Sequence, residues 1–373
     1  MRVLHITRWY PHKEEPLEAI WIKRLIEPVD PESEVYHLCV TPSKKLKIRY
    51  STNGRVKHRI WELPTKKWII IEIVNFFLLG HFLLMKRFKN DFDLINFHIA
   101  YPQLVFWSAL KFLVNKPVVV SEHWSAYHFN FGVGRKLPRI QWIFKHGLPF
   151  ITVSKSLAED IKSFSQQADL KIHQVPNVVD VKDFKLMKAI IPDQGTFFMV
   201  SQWKWPKQPK VVLNAFAALV ARGECDHYKL RIAGYGPQLE ELKMLSYSLG
   251  LNERVCFLGP LTSELIADEM NRCTAFLHCS EYETFSVVCA EALCCGAPVV
   301  ASNVGAIAEY VNSENGILVG ENTPEVWLKA IEKLRYSEFN RSVISSAAQK
   351  KFATANVRLQ YIGVLKSICG AHK

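Results

Sequence analysis

The stretch EYETFSVVCAEALCCGAPVV, residues 281–300, sets Glu283 and Glu291 around and inside an otherwise apolar run. A carboxylate buried there must be hydrogen-bonded or neutralised. AFLHCS reads as a buried strand, EYETFS as a polar turn, and VVCAEALCC as a helix stopped by Gly296 with Pro298 behind it. Ser286 is the candidate N-cap, and the free N–H groups of the first turn, from Val287 and Val288 on, offer an anion site. Glu291, more than a turn inside the helix, can be satisfied by a vicinal diol such as a nucleotide's ribose, or by a neighbouring Lys or Arg. Glu283 could accept bonds from a second hydroxylated ring. One ligand held at both ends would place ribose at Glu291, a sugar at Glu283 and phosphates over the helix N-terminus.

Such a site needs elements that carry these groups to one edge. Short β-branched runs alternate with longer helical patterns along the whole chain, which predicts parallel sheets with crossover helices. The predicted strands of the first half are Arg2–Thr7, Glu34–Val40, Val56–Leu63, Leu94–His98, Val118–Ser121, Phe150–Ser154 and Ile172–Val175. After a break over 176–195 come TFFMVSQ, YKLRIAG, RVCFLG, AFLHCS, PVVAS and GILVG, with helices that include Pro209–Arg222 and Pro237–Leu249. The expectation is an α/β chain of two doubly wound Rossmann-like domains, 1–185 and 186–350, with 351–373 a C-terminal helix that could cross back to the first. Open α/β sheets take ligands at the carboxyl ends of their strands. Two such edges facing a central cleft would serve two substrates.

A chain of 373 residues, 49% hydrophobic, suits two packed domains and argues against disorder. Its net charge of +12 is unevenly shared: residues 1–185 hold 28 Lys+Arg against 17 Asp+Glu, the rest 19 against 18. The first half therefore meets something anionic: nucleic acid, a membrane surface or a phosphorylated substrate. The nine cysteines lack CxxC spacing and sit mostly in apolar runs, as small hydrophobes of a reducing compartment do. MRVLHITRWYP reads as a first core strand and not as a signal peptide. WIIIEIVNFFLLGHFLLM (68–85) approaches the length of a membrane span, but Glu72, Asn75, Gly80 and His81 interrupt it, so a buried or interfacial helix is expected.

ETFSVVCAEALCCGAPVVA resembles the E-x7-E signature of retaining GT-B glycosyltransferases, family 4 in particular. The family's Gly-Phe-Gly is here Thr284-Phe285-Ser286, which meets any left-handed backbone requirement less easily. IAGYGPQLEELKMLSYSLGLNERVCFLG, NVGAIAEYVNSENGILV, VPNVVDVKDF, ITVSKSLAEDI and LHITRWYPHKEEPLEAIWIKR are similar to further family segments, in order along the chain.

The resemblance implies residue roles. Gln202 and Lys207, in SQWKWPKQP, stand where the family has an Arg–Lys clamp on the donor phosphates; Lys207 would neutralise the departing diphosphate, and Lys204 could substitute for the missing arginine. Donor contacts fall to Glu283, Thr284, Phe285, Ser286, Val287, Val288 and Glu291, with the sugar at Glu283 and the ribose at Glu291. His123 matches a histidine near the reacting sugar. His98 is a second, acceptor-side candidate, and Trp9 and Trp124 could stack on sugar rings. Ala19 replaces a glycine that approaches the donor phosphates.

Asp91-Phe92-Asp93 reads as solvation at the start of a strand; no metal and no cofactor is expected, the nucleotide sugar being a substrate. Gly234-Tyr235-Gly236-Pro237 is too short for a dinucleotide fingerprint. From 44 to 67 nine Lys or Arg face the single acid Glu62, either a dock for anionic lipid headgroups or a lipid diphosphate acceptor, or an ordinary solvated edge. The reading is a cytoplasmic retaining glycosyltransferase, with peripheral contact at the inner face of the cell membrane, that moves a sugar from a nucleotide-diphosphate donor to a saccharide or lipid-linked acceptor in cell-surface polysaccharide or lipopolysaccharide synthesis. The rivals are a GT-B nucleotide-sugar 2-epimerase or phosphorylase and a non-catalytic nucleotide-sugar-binding protein. No nucleic-acid recognition motif is present.

Overall fold

The structure, a computed structural model, describes residues 1–13, 18–29, 33–89, 92–132, 137–223 and 227–371. The chain forms two compact units, Met1–Asn177 with Val357–Lys373, and Val178–Asn356. The first holds β1 (Val3–Thr7), β2 (Glu34–Pro42), β3 (Lys47–Asn53), β4 (Val56–Leu63), β5 (Leu94–His98), β6 (Val118–Glu122), β7 (Phe150–Thr152) and β8 (Ile172–Gln174). They form one sheet in the order β3-β4-β2-β1-β5-β6-β7-β8. All pairings are parallel except β3 with β4. β1, β5 and β6 are buried along their whole length, as parallel strands covered on both faces must be.

β3 is not among the predicted strands, because KIRYSTN lies in the basic run and its charge masks its alternation. Asn53-Gly54 is the hairpin signal that reveals it. Gly54 turns at φ 58°, and Asn53 pairs with Val56. The helix Trp68–Lys89 has the length and composition to cross a membrane. Glu72 and Asn75 are buried on its inner side, and Arg8 pairs with Glu72 at 3.5 Å. Its outer side exposes Ile70, Ile73, Phe77, His81, Leu84 and Met85, apolar where a surface helix is ordinarily polar.

The second unit holds β9 (Thr196–Gln202), β10 (Lys229–Tyr235), β11 (Val255–Gly259), β12 (Ala275–His278), β13 (Val299–Ser302) and β14 (Gly316–Val319), all parallel, in the order β11-β10-β9-β12-β13-β14. These are the six predicted strands. Phe197, Met199, Leu213, Phe216, Leu277 and Trp327 are among the residues of its core. The chain changes unit at 177/178 and not at 185/186. Val178, Val179 and Phe184 are buried, and the Val179 N–H reaches the Phe352 carbonyl at 2.9 Å. The last helix, Thr354–Gly370, counts with the first unit from Val357 on; Asn96 of β5 donates to its Tyr361 hydroxyl at 2.6 Å.

Candidate active site

At the carboxyl end of β12 the second unit gathers a charged cluster. Lys207 reaches it because the loop after β9 is zipped onto the chain after β12: Lys207 bridges to Ser280, Gln208 N–H bonds the Cys279 carbonyl at 3.0 Å, and Glu281 N–H bonds Pro206 at 2.9 Å. Trp203, buried and bonded through Nε1 to the Ala233 carbonyl at 2.9 Å, anchors that loop. The Lys207 ammonium ion-pairs with Glu283 Oε1, and His278 Nε2 lies 2.6 Å from the same oxygen. An ionised carboxylate only accepts, so Nε2 carries the proton. Burial alone would raise the Glu283 carboxyl; the Lys207 charge and the His278 hydrogen bond overcome it and hold the group at about 2. Gly305 backs the Glu283 main chain, since a Cβ there would strike the Glu283 carbonyl, which accepts from Ala306 N–H at 3.1 Å.

The helix Val287–Cys294 starts beside this cluster. Ser286 occupies the N-cap position without the N-cap hydrogen bond. At φ 62° its hydroxyl turns to Cys289 Sγ, 3.2 Å away, and lies 3.3 Å from His278 Nε2. Left-handed backbone is thus kept at the position where the family has glycine, by a residue that pays for it in strain. Tyr310 holds the turn by donating toward the Phe285 and Ser286 carbonyls at 2.5 and 3.0 Å. The Phe285 ring is buried against Tyr310 and Phe352, Thr284, Val287 and Val288 are half-buried, and Glu291 is 3% exposed. Gln202, at the end of β9, and Lys204 are exposed.

The strand ends of the first unit gather neutral rings instead. His98 Nε2 lies 3.0 Å from His5 Nδ1, and His98 Nδ1 has no partner among the described residues. His123 stacks on His98 with centroids 6.0 Å apart, and neither of its ring nitrogens has a partner among the described residues. Burial pushes its imidazole down to about 4. Glu122 fixes both loops: it accepts from Ala100 N–H and Tyr127 Oη at 2.7 Å and from His123 N–H at 3.1 Å. Ile99 at φ 68° and Ala19 at φ 45° are left-handed, a conformation rare for a β-branched residue. Both line a cavity of about 230 Å³ with Trp9, Glu18, Trp21 and Trp124. Among the described residues no three His, Cys, Asp or Glu side chains are placed to hold a metal ion. Asp93 accepts from Arg2 N–H at 2.7 Å, at the start of β5, while Asp91 lies outside the described residues.

Residues 182–351 match the family described as "Glycosyl transferases group 1", and residues 32–183 match "Glycosyltransferase Family 4". Both halves of the chain thus resemble glycosyltransferases, the first of them family 4, and the two parallel-sheet domains have the GT-B fold. The chain is 26% identical over 233 residues to an uncharacterized glycosyltransferase of Methanocaldococcus jannaschii, covering 58% of this chain and 59% of that protein. It is 36% identical over 135 residues to a D-inositol 3-phosphate glycosyltransferase of Rhodococcus opacus, covering 34% and 30%. The chain thus spans less than two thirds of either relative. An Anabaena protein, HepE, solved in complex with UDP, shares the fold at TM-score 0.74 and 19% identity over 98% of this chain and 100% of that one.

The structure brings Lys207, Glu283 and Ser286 together, and it brings His98 and His123 together. It leaves Gln202 outside the Lys207 cluster, in solvent. Sequence reasoning missed His278, although a histidine closing a buried strand five residues before a carboxylate was the available signal. It missed Glu122 too, whose carboxylate stands one residue before His123.

Proposed function

We propose that the protein transfers a glycosyl unit from a nucleotide-diphosphate donor, held by the second unit, to a saccharide or lipid-linked acceptor, held by the first, with retention at the anomeric carbon. The observation that carries this reading is the convergence of Lys207 and His278 on one oxygen of Glu283, Oε1, beside a helix N-terminus. Oε2 then meets a hydroxyl of the donor sugar, Glu291 the ribose, and the first N–H groups of Val287–Cys294 the phosphates. The acceptor hydroxyl attacks the anomeric carbon as the bond from that carbon to the diphosphate breaks, and its proton passes to the departing diphosphate oxygen on the same face. Lys207, rather than a metal, meets the charge of that leaving group. His123 hydrogen-bonds a sugar hydroxyl or supports charge at the anomeric centre.

The acceptor saccharide stacks in the Trp9–Trp21–Trp124 cavity, with Glu18 as its polar contact. The exposed apolar side of the Trp68–Lys89 helix and the basic β3–β4 hairpin contact an anionic cytoplasmic membrane surface, which suits a lipid-linked acceptor of cell-surface polysaccharide or lipopolysaccharide. The UDP bound by the Anabaena neighbour makes uridine diphosphate sugars the first donors to try.

A thermal-shift screen of nucleotide diphosphates and their sugars tests the donor half, because a ligand that binds only the native state at a hundred times its Kd adds about 2.7 kcal/mol. Radiolabelled donor with lipid-linked glycan acceptors tests transfer. An epimer formed from donor alone would replace transfer by 2-epimerisation. A shift with neither transfer nor donor hydrolysis would leave a binding protein.

A further inference from the structure

A cavity of about 590 Å³ opens at the amino ends of β6, β7 and β8, beside Val118, Pro149 and Lys171. It lies at the opposite ends of these strands from His123, away from the edge where open sheets take substrates. Lys111, Lys116 and Lys171 line it with His146 and His173, and no Asp or Glu does. Lys57, Lys86, Lys207, Lys210 and Lys243 each hold a carboxylate. Lys111, Lys116 and Lys171 hold none among the described residues. Three like charges around one hollow repel unless an anion fills it. The remaining wall is largely apolar, Trp107 among it, and Phe112 stands exposed beside Lys111, whose ammonium lies 5.2 Å from the ring centroid. The Ser108 hydroxyl lies 3.0 Å from His146 Nε2 and holds that ring in the cavity wall.

We propose that this cavity binds a phosphoryl oxyanion, free or carried as the headgroup of an amphiphile. Lysine ammonium groups are compact point charges that hold phosphate by charge-assisted hydrogen bonds, and the apolar wall takes the body attached to it. The site is independent of the donor site and stands whether or not the proposed transfer does.

The test titrates inorganic pyrophosphate into the full-length protein, into Lys111→Gln/Lys116→Gln/Lys171→Gln and into Lys207→Ala. In parallel the same proteins are sedimented with vesicles of phosphatidylglycerol and phosphatidylcholine, 1:1, with Lys44→Gln/Lys45→Gln/Lys47→Gln as the hairpin control. The triple variant at 111, 116 and 171 should melt with the wild type, since these lysines hold no carboxylate, and should lose about tenfold or more in affinity as three charge-assisted contacts go. Loss of pyrophosphate binding in that variant with retention in Lys207→Ala supports a free phosphoryl ligand. Loss of vesicle binding there, with no pyrophosphate bound by any form and the hairpin control unaffected, supports a lipid headgroup. Binding that Lys207→Ala abolishes and the triple variant keeps belongs to the second unit and overturns the inference. So does a wild type that binds neither probe, or a triple variant that binds both as the wild type does.

Discussion

The two units present opposite chemistry at the carboxyl ends of their parallel sheets. The second unit ends β12 in a closed circuit of charge, Lys207 and His278 on one oxygen of Glu283. The first ends β5 and β6 in stacked neutral histidines, three ring nitrogens of which have no partner among the described residues, beside a tryptophan-lined hollow. A buried carboxylate cannot wait unpaired for its ligand, whereas a neutral imidazole loses far less by doing so. The edge of the second unit is therefore satisfied within the protein before any ligand arrives, and the edge of the first keeps open valences on a scaffold that Glu122 holds in place.

The largest effect should come from breaking the circuit. Glu283→Gln and Lys207→Ala should each lower transfer by about 10²–10³, the scale of one well-placed electrostatic contact. Lys207→Ala should also cost about 2 kcal/mol of stability, less than the ~3–5 kcal/mol for a fully buried pair because His278 remains on Glu283. Steady-state kinetics with urea unfolding checks both; a Lys207→Ala enzyme with wild-type turnover would remove the charged circuit from the mechanism. His278→Gln, which can still donate, should keep most of the activity that His278→Leu loses.

His123 should behave the other way. His123→Phe removes two ring nitrogens that bond nothing, so its unfolding free energy should match or exceed the wild type's, while transfer falls about tenfold or more as one hydrogen bond to the sugar is lost. A variant that loses stability and activity together would show that the imidazole is satisfied in the native protein and that the contrast between the units is false.

That contrast was only partly legible in the sequence. Periodicity placed thirteen of the fourteen strands among the described residues, because strand alternation and glycine punctuation are local signals; the E-x7-E stretch singled out Glu283, and the resemblance of SQWKWPKQP to a family segment singled out Lys207. β3 escaped because its lysines and arginine hid an Asn53-Gly54 hairpin. His278 and Glu122 escaped because a side chain that bonds across a turn leaves no period of its own. Gln202 was singled out by its place in a motif alone; the structure shows it exposed at the end of β9.

Acid should separate the units. Burial lowers the imidazoles of His37 to about 3 and His123 to about 4, with His58, His98 and His146 also below the ordinary value; in the second unit only His278 is lowered, among the described residues. A group depressed on folding stabilises the native state above its unfolded pKa of about 6.5, and that stability is lost as pH falls, since the unfolded chain takes up the proton first. Glu283, held at about 2, loses its contribution only below the ordinary carboxyl range. Between pH 7 and pH 5 protection against hydrogen exchange, taken relative to the intrinsic rate at each pH, should therefore fall in β5 and β6 before β12 and β13. His123→Phe should be less pH-sensitive than the wild type by about 2 kcal/mol at pH 5, at 1.36 kcal/mol per pKa unit.

The smallest effect concerns backbone strain. Ser286 at φ 62° and Ala19 at φ 45° hold left-handed backbone at the two positions where the family has glycine. A left-handed L-residue costs about 1–2 kcal/mol, against which glycine loses more freedom on folding, about 0.5–1 kcal/mol. Ala19→Gly should therefore stabilise by roughly 0.5 kcal/mol. Ser286→Gly should gain less, because it also forfeits the hydroxyl's contacts with Cys289 and His278. If those contacts help to hold His278 on Glu283, the gain in Ser286→Gly will come with a weaker donor, read as a raised KM at unchanged kcat. A Ser286→Gly protein more stable than Ala19→Gly, with an unaltered KM, would show that the hydroxyl only fills space and that the circuit at Glu283 needs Lys207 and His278 alone.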